Sequence, residues 1–285
     1  MMMGNRFFRA ILPVLLWGLA AMPSAAQEPA SRDITRATMV GVGGTNLLET
    51  YLSPEKYAGT AWRVMQHVTL ANSSHPLWTR QMVNEVSVSS SRNRADNASY
   101  LSAFYHFEYD WHRRLAAIPL WKGMLRLKAG PGVDAMAGFV YSTRNGNNPA
   151  QAHFGLMGTA SFVADYALPK VQSRWWRWIV PVAFHYELQL PLLGLQFSPN
   201  FGQSYYEIFT QGNYDHNLIV ATPFNAPSVR QMLTADFRLS PHSALRVGYR
   251  GDCQQSKFNQ LKFHDWSHLF IIGFVKSFTI NHRPL

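Results

Sequence analysis

Long segments of this chain alternate apolar and polar residues with a period of two, and this pattern limits its fold more than any other feature. Residues 174–190 show the alternation most clearly. One face of this segment is wholly apolar and consists of Trp176, Trp178, Val180, Val182, Phe184, Tyr186, Leu188 and Leu190. A period of two indicates a β-strand. Pro181 lies on the other face and predicts a bulge or kink, because proline cannot donate a ladder hydrogen bond.

The same alternation recurs along the chain, in residues 100–112, 121–128, 153–166, 233–239, 245–250 and 267–278. The apolar faces of these segments carry almost no charge. A soluble β-sandwich would also alternate, but it would bury its apolar faces in a shared core and turn its charges to solvent. So many long strands with uncharged apolar faces favour a sheet that faces lipid.

The first 26 residues have the form of a secretory signal. Arg6 and Arg9 precede an apolar stretch at 11–19, and small residues at 24–26 predict cleavage before Gln27. The stretch is too short to span a bilayer. We therefore expect residues 1–26 to be a cleaved signal peptide and residues 27–285 to form a single domain. Because Cys253 is the only cysteine, there is no intramolecular disulfide.

These features together predict a transmembrane antiparallel up-and-down β-barrel in the outer membrane of a Gram-negative bacterium. The nine Trp, twelve Tyr and eighteen Phe suit aromatic girdles at the two membrane interfaces. Turn signals separate about twelve strands, within a range of about 10–14 for a single-chain barrel of this length. Residues 45–59 break the strand rhythm, which predicts a long loop or a short helix near the barrel mouth.

The basic charge indicates a partner other than nucleic acid. Removal of Arg6 and Arg9 reduces the 26 Lys and Arg residues to 24, against 16 Asp and Glu residues, a formal charge of +8. The predicted export of the chain and the absence of any run of basic residues argue against nucleic acid as a partner. We expect the basic residues to line a lumen or to face lipopolysaccharide. The predicted partners are outer-membrane lipid, lipopolysaccharide and an envelope protein.

The polar faces of the strands supply the candidate functional residues, which we expect to line the lumen. They are His106, Glu108, Asp110, His112, Arg126, Arg177, His185, Glu187, Asp236, Arg238, Arg246 and Arg250. Buried charges are costly unless they are paired. Ion pairs that brace opposite walls are the favoured interpretation, and a charged filter in a narrow pore and a catalytic cluster are the alternatives. The many Arg residues suggest anion preference if an open path exists.

The sequence identifies no catalytic, cofactor or metal site. His106 with Glu108 and Asp110 with His112 have a spacing that places two ligands on one metal, but an alternating strand often produces this spacing by chance. A lipid hydrolase needs a Ser nucleophile, a His base and an orienting group. The neighbours Ser267 and His268 point to opposite faces of a strand, so they do not supply this arrangement.

Three stretches resemble an uncharacterised family of Gram-negative outer-membrane proteins: residues 195–209 (LQFSPNFGQSYYEIF), 212–217 (GNYDHN) and 249–273. The resemblance implies a barrel and no particular activity. In residues 203–207 we expect an interfacial girdle beside a polar lumen patch, and in 252–259 the polar tip of a hairpin. Three functions remain open: a non-enzymatic barrel, either structural, accessory or a small pore; a lipid-active hydrolase or acyltransferase; and a soluble periplasmic β-sandwich.

Overall fold

A computed structural model describes residues 31–146, 148–169 and 180–281, which form one antiparallel β-sheet closed into a barrel. The strands are β1 (Ser31–Glu49), β2 (Ser53–Asn72), β3 (Trp78–Asn93), β4 (Ser99–Leu120), β5 (Gly123–Ser142), β6 (Ala150–Ala167), β7 (Ala183–Phe197), β8 (Leu218–Ala221), β9 (Val229–Ser240), β10 (Ser243–Phe258) and β11 (Leu261–Asn281). From β1 to β7 and from β9 to β11, each strand pairs with the next in the chain, β7 pairs with both β8 and β9, and β1 pairs with β11 to close the ring. The predicted all-β antiparallel barrel is confirmed, whereas the predicted signal peptide lies outside the described residues.

Two of the strands share one position in the ring. β8 pairs with the last residues of β7, and β9 pairs with its first residues, so the two follow each other along the same edge. The eleven strands of the described residues therefore occupy ten positions in the ring. This even number lies within the predicted range and is typical of bacterial barrels.

The connections define two ends of the barrel. The terminal end carries Ser31 and Asn281, together with the turns at 73–77, 121–122 and 241–242. The loop end carries the opposite turns and the long connection 198–217 between β7 and β8, which contains the short helix α1 (Tyr205–Phe209).

Helix α1 begins with a capping box in which Ser204 and Glu207 each accept a hydrogen bond from the other's backbone N–H. Burial raises the pKa of the Tyr205 phenol, whose hydroxyl donates to Gln151 Oε1 at 3.0 Å. The connection is thereby attached to the start of β6.

Several predictions of local structure are wrong. Within residues 45–59, β1 runs to Glu49 and β2 starts at Ser53, with only a tight turn between them. The alternation is hidden there because inward residues such as Leu47 and Tyr57 are also apolar and pack in a core at the loop end. The hairpin tip is at residues 259–260, since β10 continues to Phe258.

Two further corrections concern β7 and the segment before β8. Of the strand predicted at 174–190, residues 174–179 lie outside the described residues, and residues 180–182, including Pro181, precede β7. Residues 203–207, for which an interfacial girdle was predicted, lie at the start of helix α1 and in its cap. Pro181 lies in the first of these segments and the helix-capping Ser204 in the second, and neither residue type is suited to the interior of a strand.

The two faces of the sheet have opposite chemistry. The outward side chains along the middle of the strands are apolar and exposed, among them Val64, Val88, Leu156, Phe270 and Ile272. The inward side chains are buried and include most of the charged residues described below. Among the described residues, no helix is long and apolar enough to cross a bilayer.

Candidate functional site

Charged side chains from six strands meet in the interior and form a layer across the barrel. We call this layer the central charge layer; it consists of Arg63, Glu85, Glu108, Asp134, Arg230, Arg250 and Asp252. None of these side chains is more than 4% exposed. Alternation positions them, because each lies on the inward face of its strand.

Two carboxylates of the layer face each other on neighbouring strands. Glu108 on β4 lies directly opposite Asp134 on β5, a like-charge pair that is destabilising by itself. Arg230, from β9 across the barrel, resolves the conflict. Its Nη1 lies 2.9 Å from Glu108 Oε1 and 2.9 Å from Asp134 Oδ1.

The guanidinium groups of Arg250 and Arg63 connect further strands to the layer. Arg250 on β10 lies 3.2 Å from Glu85 Oε2 on β3 and 3.0 Å from Glu108 Oε1 on β4. Arg63 on β2 reaches Glu85 Oε1 at 3.0 Å and Asp252 Oδ2 on β10 at 3.5 Å. Strands on opposite sides of the ring are thus connected through the lumen by ion pairs.

The layer contains more carboxylates than guanidinium groups. Three Arg face four Asp and Glu residues, and His106 lies beside them with its Nδ1 2.7 Å from Arg230 Nη2. The inward Arg residues are therefore matched by acids here, and this charge balance gives no support to the anion preference suggested by the sequence.

A second group of polar residues lines a cavity of about 220 Å³ nearer the terminal end. We call this cavity the vestibule. Two ion pairs flank it: Arg246 with Asp236, at 2.7 Å between Nε and Oδ1 and 2.8 Å between Nη2 and Oδ2, and Lys128 with Asp165, at 2.7 Å between Nζ and Oδ2. Its other polar lining residues are Thr35, His67, Thr69, Thr79, Gln81, His112, Arg126 and His185.

The predicted lumen residues divide between these two places. Glu108 and Arg250 belong to the central charge layer, and His106 contacts it. The vestibule is lined by His112, Arg126, His185, Asp236 and Arg246. Buried Asp110 and Glu187 lie between the two groups.

The remaining two predicted residues lie in neither group nor between them. Arg238 is half-buried and lies within salt-bridge distance of no carboxylate in the described residues. Arg177 lies outside the described residues.

Sequence reasoning missed most of the central charge layer: Arg63, Glu85, Asp134, Arg230 and Asp252. Alternation could have identified Arg63 as a lumen residue. It lies between Trp62 and Val64, which are apolar and exposed on the outer face of β2, whereas Arg63 is buried on the inner face. Asp252 was assigned to a hairpin tip, although it lies in β10 and faces the lumen.

One Ser–His pair forms in the interior. His112 Nε2 lies 2.8 Å from Ser161 Oγ, and both residues are buried. Within the described residues no group forms a hydrogen bond with His112 Nδ1, so the pair lacks the third member that orients the base in a hydrolytic triad.

Two groups of residues in the described parts of the chain could hold a metal ion. They are His67, His185 and Glu187 in one case and Glu108, Asp110 and Glu187 in the other, with ligand atoms within 4.8 Å of one another. Glu187 is common to both.

Comparison with known proteins places the chain in a family. A family model described as "Protein of unknown function (DUF3316)" matches residues 9–283. The chain belongs to this family. The match confirms the resemblance to an uncharacterised family and extends it from the last third to nearly the whole sequence. No curated protein matches the sequence.

Solved structures with a similar arrangement of strands are outer-membrane barrels. The outer membrane protease OmpT from Escherichia coli has a TM-score of 0.46 and 7% identity, covering 90% of this chain and 99% of that chain. The transport unit of the autotransporter AIDA-I from Escherichia coli has a TM-score of 0.39 and 7% identity, covering 94% and 96%. The translocator domain of NalP from Neisseria meningitidis has a TM-score of 0.34 and 11% identity, covering 95% of each.

Proposed function

We propose that the chain is an integral outer-membrane β-barrel with a closed lumen, which serves as a non-enzymatic structural or accessory component of the cell envelope. The observation that carries this proposal is the central charge layer. Its ion pairs cross the barrel from β4 to β9 and β10, and from β3 to β10.

The membrane location follows from the outer surface. Soluble monomers rarely expose contiguous apolar patches larger than a few hundred Å². Here the exposed outward side chains of neighbouring strands are apolar, including Val42, Trp62, Val86 and Phe274. Bacterial barrels place short turns in the periplasm and longer loops outside, which assigns the loop end to the cell surface.

A closed barrel is favoured over a small pore because the charged side chains of the layer are buried and paired with one another. Its carboxylates and guanidinium groups are almost fully buried, whereas a conducting filter must bind its ions weakly enough to release them. An ion crossing the layer would have to break several buried pairs.

Single-channel conductance in a planar bilayer tests this proposal. We expect no reproducible conductance from the folded protein, with insertion verified by heat-modifiable gel migration and by protease protection. Reproducible channels whose selectivity changes in Arg246→Ala or Arg250→Ala would overturn the closed-barrel proposal and establish a pore.

A lipid-active hydrolase is the alternative that the Ser161–His112 pair brings forward. Since both residues are buried and the pair lacks an orienting group in the described residues, we expect no labelling of the folded barrel by a fluorophosphonate probe. Labelling that is present in the native protein and abolished by Ser161→Ala would contradict the non-enzymatic assignment.

The proposed partners are outer-membrane lipid and lipopolysaccharide along the apolar wall and an envelope protein at the loop end. Exposed aromatic side chains at that end favour a protein contact: Phe201, Tyr206, Phe209, Tyr214 and Phe224. Crosslinking in intact cells from a photoreactive residue at position 224 tests this contact, with position 73 in a turn of the terminal end as the control. Equal products from both positions would count against it.

A further inference from the structure

We propose that a divalent transition-metal ion such as Zn²⁺ binds where the vestibule borders the central charge layer, with His67, His185 and Glu187 as its ligands. The three residues come from β2 and β7, and each offers a ligand atom within 4.8 Å of the other two. Two imidazoles and a carboxylate form a ligand set that zinc uses in open sites. The site goes beyond the structural role proposed above.

The distance between two of the ligands fits a shared metal ion. His185 Nε2 lies 3.4 Å from Glu187 Oε2, which is longer than an ordinary N–H···O hydrogen bond of about 2.7–3.2 Å. Two ligand atoms about 2.0–2.1 Å from one tetrahedral ion are separated by about 3.3 Å. The observed separation is therefore that of neighbouring ligands.

The surrounding hydrogen bonds prepare both groups for this role. Asp165 Oδ1 lies 2.7 Å from His185 Nδ1. In the tautomer with its proton on Nδ1, His185 donates a hydrogen bond to Asp165 and has a free lone pair on Nε2. A carboxylate behind a ligating imidazole is the usual second layer of a metal site. Gln81 Nε2 donates to Glu187 Oε1 at 2.5 Å, so Oε2 remains available.

His67 provides an independent indication of a ligand. It is 4% exposed, and within the described part of the chain its Nε2 has no hydrogen-bond partner. A buried polar atom without a partner costs about 1–3 kcal/mol, and coordination of a metal would remove that cost. Its Nδ1 lies 3.3 Å from Arg246 Nη1. Coordination through Nε2 would place the imidazole proton on Nδ1, so Nδ1 could no longer accept a hydrogen bond from Arg246. Asp236 would still hold Arg246 through Nε and Nη2.

The charge and shape of the vestibule also suit a cation. Lys128 and Arg246 are paired with Asp165 and Asp236, and the third basic lining residue, Arg126, is exposed. Glu187 lies within salt-bridge distance of no Lys or Arg in the described residues. The carboxylate of Glu187 is thus free to offset a metal charge. The cavity of about 220 Å³ leaves room for water as a further ligand.

The competing explanation is a doubly protonated His185 that donates to Asp165 and Glu187. Zinc binding by the folded barrel, purified from membranes in detergent and treated with a chelator, distinguishes the two. We expect one equivalent of Zn²⁺ per chain. Replacing Zn²⁺ with Co²⁺ should give the intense visible absorption of a low-symmetry site.

Substitutions locate the ion. We expect His67→Gln, His185→Gln and Glu187→Gln each to weaken Zn²⁺ binding about 100-fold or more, and Asp165→Asn to weaken it about 10–100-fold. His216→Gln is the matched control, since His216 is an exposed loop histidine 2.7 Å from Asp215, and it should bind like the native protein.

Two results would overturn the site. One is native protein that binds no Zn²⁺ and gives no Co²⁺ absorption while its heat-modifiable migration shows a folded barrel. The other is binding that persists in His185→Gln and Glu187→Gln but is lost in His216→Gln. If a ligand variant fails to fold, the Co²⁺ spectrum of the native protein still decides between metal and proton.

Discussion

At the scale of single residues, the interior contains buried charges that are costly unless they are paired. Glu108 and Asp134 face each other on neighbouring strands, and Arg230 satisfies both at 2.9 Å. Replacing a complete buried ion pair with apolar residues is often neutral, but removing one partner leaves an uncompensated charge. The arrangement therefore depends on every member of the layer.

We predict that Arg230→Met destabilises the folded barrel by about 3–5 kcal/mol, because it leaves buried Asp134 without its guanidinium partner beside Glu108, which keeps only Arg250. Urea unfolding in detergent micelles measures this loss. Arg238→Met is the control: Arg238 lies on the same strand and is half-buried, with no carboxylate partner in the described residues. Equal losses in the two variants would contradict the role assigned to Arg230.

At the scale of elements, β5 is shaped to admit a side chain from its neighbour. Gly132 lies opposite Asp110 of β4, and a Cβ added to Gly132 would collide with the Asp110 carboxylate. A Cβ added to Gly130, two residues earlier, would collide with the backbone oxygen of Trp111. These two positions of β5 are therefore limited to glycine by close packing rather than by a turn.

We predict that Gly132→Val reduces the fraction of folded barrel, because the new side chain and the Asp110 carboxylate require the same space. Heat-modifiable gel migration after refolding measures the folded fraction. Gly146→Ala, in a connection at the loop end where an added Cβ meets nothing within 4 Å, should fold normally. A Gly132→Val protein that folds as completely as Gly146→Ala would refute this account.

At the scale of the whole molecule, the barrel exposes apolar side chains on its outside and buries many polar and charged side chains, the reverse of the usual distribution in a soluble protein. Charged and polar side chains occupy much of the interior beside smaller apolar clusters, and apolar side chains cover the outer wall. The hydrophobic effect then stabilises the folded chain only when lipid covers that wall. Insertion and stability should respond to charge on the outside more strongly than to charge in the loops.

We predict that Val64→Arg impairs membrane insertion, since an Arg on the lipid-facing side near the bilayer midplane costs about 2–4 kcal/mol. Val64 is 57% exposed near the middle of β2. Refolding yield into lipid vesicles gives the effect, and Tyr214→Arg, in an exposed connection at the loop end, is the control. An unchanged yield for Val64→Arg would argue against the proposed lipid-facing surface.

The sequence was informative where one face of a strand is uniform in chemistry. Residues 267–278 were predicted as a strand and lie inside β11, and the inward position of Glu108 and Arg250 followed from alternation alone. Prediction failed at residues 45–59, where inward side chains are apolar as well. It also failed at Asp252, because a polar residue facing a lumen looks like one facing solvent.

The sequence by itself determined the β-barrel class and the set of side chains available to the lumen, because alternation is a local property of each strand. Only the tertiary structure decided which of those side chains meet. The contact between Arg250 and Glu108 joins strands far apart in the chain, and the grouping of His67 with His185 depends on how the sheet closes. Closure and register are long-range properties, so neither a closed lumen nor a proposed metal site could be predicted from residue spacing.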